Sequence, residues 1–140
     1  MRLLFSIIFS YPVLLMISPT LLITDDDDAF RETLRNVFEP EGFRTVLAED
    51  GLEAYHIVQT EIIHLALLDF QMPHLDGLET IRLFRQIKPE LPCILLSAAL
   101  DERIIQAAHE LFVFSVLSKP CSKKQITSLV QTALKNTSVF

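Results

Sequence analysis

Asp25, Asp26, Asp27 and Asp28 form an unbroken acidic run directly after the apolar stretch Leu21-Leu22-Ile23-Thr24. A single aspartate, Asp69, closes a second apolar run, Leu65-Ala66-Leu67-Leu68. Ser97 closes a third, Cys93-Ile94-Leu95-Leu96, and Lys119 stands just beyond a fourth, Val113 to Leu117. In an open parallel α/β sheet, ligands bind at the carboxyl ends of the strands. If these runs are strands, the carboxylates, the hydroxyl and the ammonium all meet at one edge. Three crowded carboxylates repel one another, and a divalent cation relieves that repulsion. Oxygen-only donors suit magnesium, which keeps several waters and shares its shell with phosphate. A carboxylate nucleophile beside a cation, a hydroxyl and an ammonium is the equipment of phosphoryl transfer. Each feature alone has a blander reading. Four aspartates serve as a solvated turn or helix start, and a lone aspartate after a strand is an ordinary turn residue. The joint placement carries the argument.

The elements needed to position these groups are legible. Ala29 to Phe38 has helical spacing, with Phe30, Leu34, Val37 and Phe38 on one face, negative charge before it, and Pro40 and Gly42 after it. Arg44 to Ala48 alternates weakly as a strand, and Gly51 to Thr60 reads as a helix. Asp76 to Gln86 is a third helix, with Leu78, Ile81 and Phe84 inward. Glu102 to Leu111 is a fourth, and Lys123 to Leu134 a last one, with Ile126, Leu129, Val130 and Leu134 apolar. Five β-α repeats with uninterrupted apolar strands imply a parallel sheet covered on both faces.

Composition narrows the class. At 140 residues one domain is expected, since domains usually run about 100–200 residues. Twelve basic against 18 acidic residues give a formal charge of −6, which disfavours a nucleic-acid surface. Half the residues are apolar, and mean hydropathy is +0.36, high for a soluble domain. Cys93 and Cys121 are too few and too far apart for a zinc site and read as free thiols of a reducing compartment.

Much of the apolar excess lies at the start, where Arg2 is the one charged residue in the first 24. Leu3 to Ile17 resembles a signal-peptide core, but no small-x-small cleavage site follows. It is short for a membrane span, which needs about 20 residues, and Pro12 interrupts it. Three readings stand: a secretory signal, a short anchor or partner-binding segment, or sequence upstream of a working start at Met16. The expected division is residues 1–17 as this segment, 18–136 as the working domain, and 137–140 as a tail.

With LLITDDDDAFRETL, LALLDFQMPHLDGLE, ILLSA and SKP in view, the stretch from about Pro19 to Leu134 resembles the receiver domain of two-component response regulators. The D-x-x-M-P-x-x-D-G pattern from Asp69 to Gly77 is the most specific part. The resemblance implies a flavodoxin-like, doubly wound, five-stranded parallel sheet of order 2-1-3-4-5 with five helices on two faces; that order is a known family feature, not a result of periodicity. It implies that Asp69 accepts a phosphoryl group from a sensor histidine kinase or a phosphotransfer protein. It also implies that Asp26 ligates magnesium (manganese as the alternative), with Asp25 acting partly through water and the Gln71 carbonyl contributing. Lys119 matches the lysine that pairs with phosphoryl oxygen, Ser97 the switch hydroxyl, and Lys119-Pro120 a cis peptide bond. Asp27 and Asp28 are read as loop and helix-start charge. Pro73 is expected to stiffen the loop after the nucleophile, and Gly77 to let the backbone turn tightly.

Two departures from the family pattern stand out. Phe112-Val113 replaces the usual Gly-Ala before the last strand. A bulky residue in a left-handed cap is strained, so this corner is expected to be rebuilt. Val116 replaces the family's switch aromatic, with Phe114 expected two residues earlier on the same strand face. Altered coupling of Ser97 to the partner surface follows as an expectation. Apolar Leu111, Phe112 and Phe114 read either as local core or as a patch for a downstream partner or a homodimer. His56, His64, His74 and His109 lack ligand spacing, and His74 is expected to be solvated or at the pocket mouth. Nothing after Leu134 is long enough for an output domain, so a stand-alone cytoplasmic phosphoacceptor, not an enzyme in the turnover sense, is expected. It is expected to signal through protein partners without binding nucleic acid, and to meet a membrane only if residues 1–17 anchor it. Two rivals remain: a receiver-like interaction module that is never phosphorylated, and a haloacid-dehalogenase-like phosphatase. The second lacks the expected threonine at Ala29 and a late acidic pair after Lys119.

Overall fold

A computed structural model describes residues 18–136. The expectations for residues 1–17 and 137–140 lie outside the described residues. The chain runs β1 (Thr20–Thr24), α1 (Asp28–Phe38), a 3-10 turn (Glu39–Glu41), β2 (Arg44–Ala48), α2 (Gly51–Thr60), β3 (Leu65–Asp69), α3 (Gly77–Ile87), β4 (Cys93–Ser97), α4 (Glu102–Glu110), β5 (Ser115–Ser118) and α5 (Lys123–Lys135). The strands form one sheet in the order β2-β1-β3-β4-β5, with every neighbouring pair parallel.

Strand side chains alternate between faces, so each apolar run feeds two cores. Leu22, Ala66, Leu68, Cys93 and Leu95 pack with Ala54, Ile57, Leu78, Ile81, Phe84 and Ala108, under α2, α3 and α4. Leu21, Ile23, Leu65, Leu67, Ile94 and Leu96 pack with Leu34, Phe38, Ile126 and Val130, under α1 and α5. β3 and β4 are buried along their whole length, which is why their sequences lack polar alternation. Side chains of Asp27, Asp50, Asp76, Asp101 and Ser122 cap the five helices, fixing where each begins. Among the described residues no helix is long and apolar enough to cross a membrane.

Three details of the α4–β5 corner differ from expectation. The corner is not rebuilt: Phe112 itself takes the left-handed conformation, with φ 57°. Its N–H donates to His109 O (3.0 Å) and the Val113 N–H to Ala108 O (3.0 Å), the paired bonds of a Schellman cap. Arg85, from α3, holds this cap in place. It donates to the carbonyls of Leu111 (2.7 Å), Phe112 (3.2 Å) and Leu91 (2.8 Å). Second, β5 starts at Ser115 rather than Val113, because the Val113 N–H is committed to the helix cap. Third, Phe114 does not share a face with Val116. Phe114 packs with the α1/α5 core and Val116 with the α2–α4 core, so Phe114 cannot stand in for the missing aromatic. Leu111 and Phe114 are partly buried against these cores, leaving Phe112, 81% exposed, as the open apolar side chain of the corner.

Candidate functional site

The carboxyl edge of the sheet brings the acidic residues together. Carboxylate oxygens of Asp25, Asp26 and Asp69 lie within 4.8 Å of one another. Asp25 and Asp69 are buried and Asp26 is exposed, so the cluster has a closed floor and an open mouth. Asp25 is held on all sides. Its N–H donates to Ala48 O (3.2 Å), and its Oδ1 accepts the Asp27 N–H (2.9 Å). Its carbonyl accepts from Arg31, which also pairs with Asp28. Asp27 in turn caps α1 by accepting the N–H groups of Ala29 (2.9 Å) and Phe30 (3.3 Å). The expected helix-start role of Asp27 and Asp28 is therefore what the structure has.

Lys119 reaches the cluster from beyond β5. Its Nζ donates to Asp25 Oδ2 (2.7 Å) and lies 3.2 Å from Asp69 Oδ1. Its backbone N–H donates to Ser97 O (2.8 Å), and the Lys119-Pro120 bond is cis, as the resemblance implied. Ser97 is 1% exposed at the end of β4, where its hydroxyl accepts the Ala99 N–H (3.2 Å). Gln71 lines an open cavity of about 470 Å³ with Asp26, Phe70, Met72, Pro73 and Asp76. His74 is exposed, at φ 70°, and is not among the residues that line this mouth.

Burial pushes the Asp69 carboxyl pKa up, and the negative charges of Asp25 and Asp26 add to that, with Lys119 opposing. Burial pulls the Lys119 ammonium down, but the bonds and charges of Asp25 and Asp69 outweigh it and the net shift is upward. One cation against three carboxylates leaves the pocket with excess negative charge. An all-oxygen donor set with that excess fits a hard divalent cation.

Gly77 works differently from expectation. Its φ is not in the left-handed region, so the reason for glycine is close approach. A Cβ there would meet Asp69 O at 2.6 Å and Leu95 Cδ1 at 2.6 Å, while its N–H donates to Phe70 O (2.8 Å). The helix that begins at Gly77 is thus pressed directly against the end of β3. Cys93 is fully buried with its thiol pushed up to about 11 by burial, in keeping with a core thiol.

Sequence reasoning missed three residues. Arg31 and Arg85 reach carbonyls that no spacing rule points to. Phe30, read as a core position of α1, lies with its ring centroid 4.1 Å from Lys119 Nζ.

A five-stranded sheet of this order with an aspartate cluster and a lysine at its carboxyl edge defines a doubly wound, flavodoxin-like α/β domain with an acidic site at that edge. The family model described as "Response regulator receiver domain" matches residues 21–131, and the chain belongs to that family. It is 33% identical over 120 residues to Response regulator MprA of Mycobacterium sp. (strain KMS), covering 84% of this chain and 51% of that protein. It is 33% identical over 119 residues to Sporulation initiation phosphotransferase F of Bacillus subtilis (strain 168), covering 85% of this chain and 96% of that one. The chain thus spans about half the length of the MprA relatives and nearly all of the sporulation protein. Among solved structures it is similar to a CheY-like receiver domain protein from Methanospirillum hungatei JF-1, with TM-score 0.81, 20% identity, and 84% and 94% of the two chains covered. It is also similar to the Francisella response regulator 1452 receiver domain, with TM-score 0.78, 28% identity, and 84% and 97% covered. Membership in this family sets aside the haloacid-dehalogenase-like reading.

Proposed function

We propose that residues 18–136 act as a receiver whose Asp69 accepts a phosphoryl group from a histidine kinase or phosphotransfer protein. The carrying observation is the meeting of Asp25, Asp26 and Asp69 with Lys119 at the carboxyl edge. An Asp69 carboxylate oxygen attacks phosphorus, the phosphorus–nitrogen bond of the donor phosphohistidine breaks, and the imidazole nitrogen recovers its electron pair and takes a proton. An acyl phosphate on Asp69 results, and water later hydrolyses it. Asp25, Asp26, Asp69 and the Gln71 carbonyl are assigned to hold magnesium, with manganese as a substitute. When bound, that ion offsets charge on the phosphoryl oxygens and on the aspartates. Lys119 neutralises a further phosphoryl oxygen with a charge-assisted hydrogen bond. Ser97 is assigned as the hydroxyl that answers phosphorylation, being the polar group that ends the neighbouring strand.

Output through a protein partner in the cytoplasm completes the reading, with Cys93 and Cys121 as the free thiols such a reducing compartment keeps. Borohydride trapping tests the assignment. After exposure to a small acyl phosphodonor with magnesium, reduction is expected to convert residue 69, and no other, to homoserine. Conversion of a different aspartate would overturn it.

A further inference from the structure

We infer that Phe30 is a positioning residue for Lys119, its ring face seating the ammonium between Asp25 and Asp69. The inference rests on the proposed role of Lys119 as the cation that meets the phosphoryl group. An ammonium has three donors and no acceptor. Two directions from Nζ are taken by Asp25 Oδ2 at 2.7 Å and Asp69 Oδ1 at 3.2 Å. The Phe30 ring, 4.1 Å away, presents its negative face to the same atom. The Lys119 side chain is only 19% exposed, and cation–π attraction grows as water is excluded.

The local fold explains how Phe30 comes to be there. Asp27 accepts the Ala29 and Phe30 N–H groups, which fixes the first turn of α1 and the position of residue 30. Deeper on the same helix, Leu34 and Phe38 are buried in the α1/α5 core. Phe30 sits beside that core, partly buried, and its aromatic ring offers a face to the cation.

The arrangement has a functional consequence. Asp25 and Asp69 are the carboxylates assigned to the divalent cation, so their hold on Lys119 is shared. The ring's hold is not shared, and it competes for no proton. Phe30 thus keeps the ammonium beside Asp69 while its carboxylate partners turn elsewhere and a phosphoryl oxygen arrives.

Replacing Phe30 with phenylalanines carrying one, two and three fluorines tests this without changing the side chain's shape. Fluorination drains the negative face, so phosphorylation of Asp69 by a small acyl phosphodonor with magnesium should slow stepwise. The expected span is about three- to tenfold, with Phe30→Leu at the slow end and Phe30→Tyr near wild type. A rate that stays flat across the fluorinated series would overturn the inference. In metal-free protein, the Lys119 Hε resonances should lie upfield from the ring current and return toward ordinary values in Phe30→Leu. Unshifted resonances in wild type would equally overturn it. If the wild-type chain takes no phosphoryl group, the proposed function fails, and the resonance measurement alone decides the Phe30–Lys119 contact.

Discussion

The carboxyl edge of the sheet and the α4–β5 corner carry two different kinds of tension. At the edge the tension is electrostatic: Asp25 and Asp69 are buried beside Asp26, and one lysine pairs with only two of the three. At the corner it is conformational: Phe112 occupies a left-handed position that suits glycine, and exposes its ring. The first can be relieved by a bound cation or by a proton. The second has no such outlet and is met by a fixed clamp, Arg85 on the carbonyls of Leu91, Leu111 and Phe112. A region whose tension a ligand can release is suited to reacting. A region whose tension is clamped is suited to staying put.

Removing the clamp should show the largest effect. Arg85→Ala loses charge-assisted bonds to three carbonyls and is expected to cost about 2–3 kcal/mol in urea denaturation. Magnesium binding should be nearly unchanged, and a comparable loss of magnesium affinity would mean that the two regions are coupled. Gly77→Ala strikes the other region. Its Cβ has backbone oxygen at 2.6 Å, which cannot swing aside, so about 1–3 kcal/mol is expected, together with weaker magnesium binding read by fluorescence or NMR titration. Stability lost with magnesium binding intact would count against Gly77 shaping the pocket.

Phe112→Gly should stabilise the protein by about 1 kcal/mol, since left-handed strain is relieved and the lost side chain is exposed. A destabilised variant would show that the Phe112 ring makes contacts worth more than the strain. Asp69→Asn is expected to give the smallest effect, because Lys119 already offsets part of the repulsion. The raised Asp69 pKa means the folded chain holds that proton more tightly than the unfolded chain does. Its favourable contribution is complete below the ordinary carboxylate pKa and is lost as pH rises through the raised value. Wild type should therefore match Asp69→Asn in acid and fall below it at neutral pH, with magnesium narrowing the gap. Equal stability of the two at all pH values would remove the electrostatic half of the comparison.

The sequence reveals these regions unevenly. β1, β3 and β4 are legible because strands buried on both faces must be apolar throughout, and each ends at a polar residue that stops the run. Asp25, Asp69 and Lys119 are legible because strand ends in a parallel sheet share an edge. The start of β5 reads two residues early in the sequence because Val113 and Phe114 look like strand, whereas the Val113 N–H closes a helix cap. The consequent slip put Phe114 on the wrong face of the sheet. Gly77 shows in the sequence that a glycine is needed but not why, since a tight turn and a close approach leave the same letter. Arg31, Arg85 and Phe30 were hidden because long or large side chains reach partners set by tertiary packing, which spacing along the chain does not encode.

Intact-mass measurement after exposure to a small acyl phosphodonor tests the central claim most directly. With magnesium present, wild type should gain the mass of one phosphoryl group and lose it again on standing. Asp69→Asn should gain nothing, and wild type stripped of divalent cations should gain little. An undiminished phosphoryl adduct in Asp69→Asn would contradict the account.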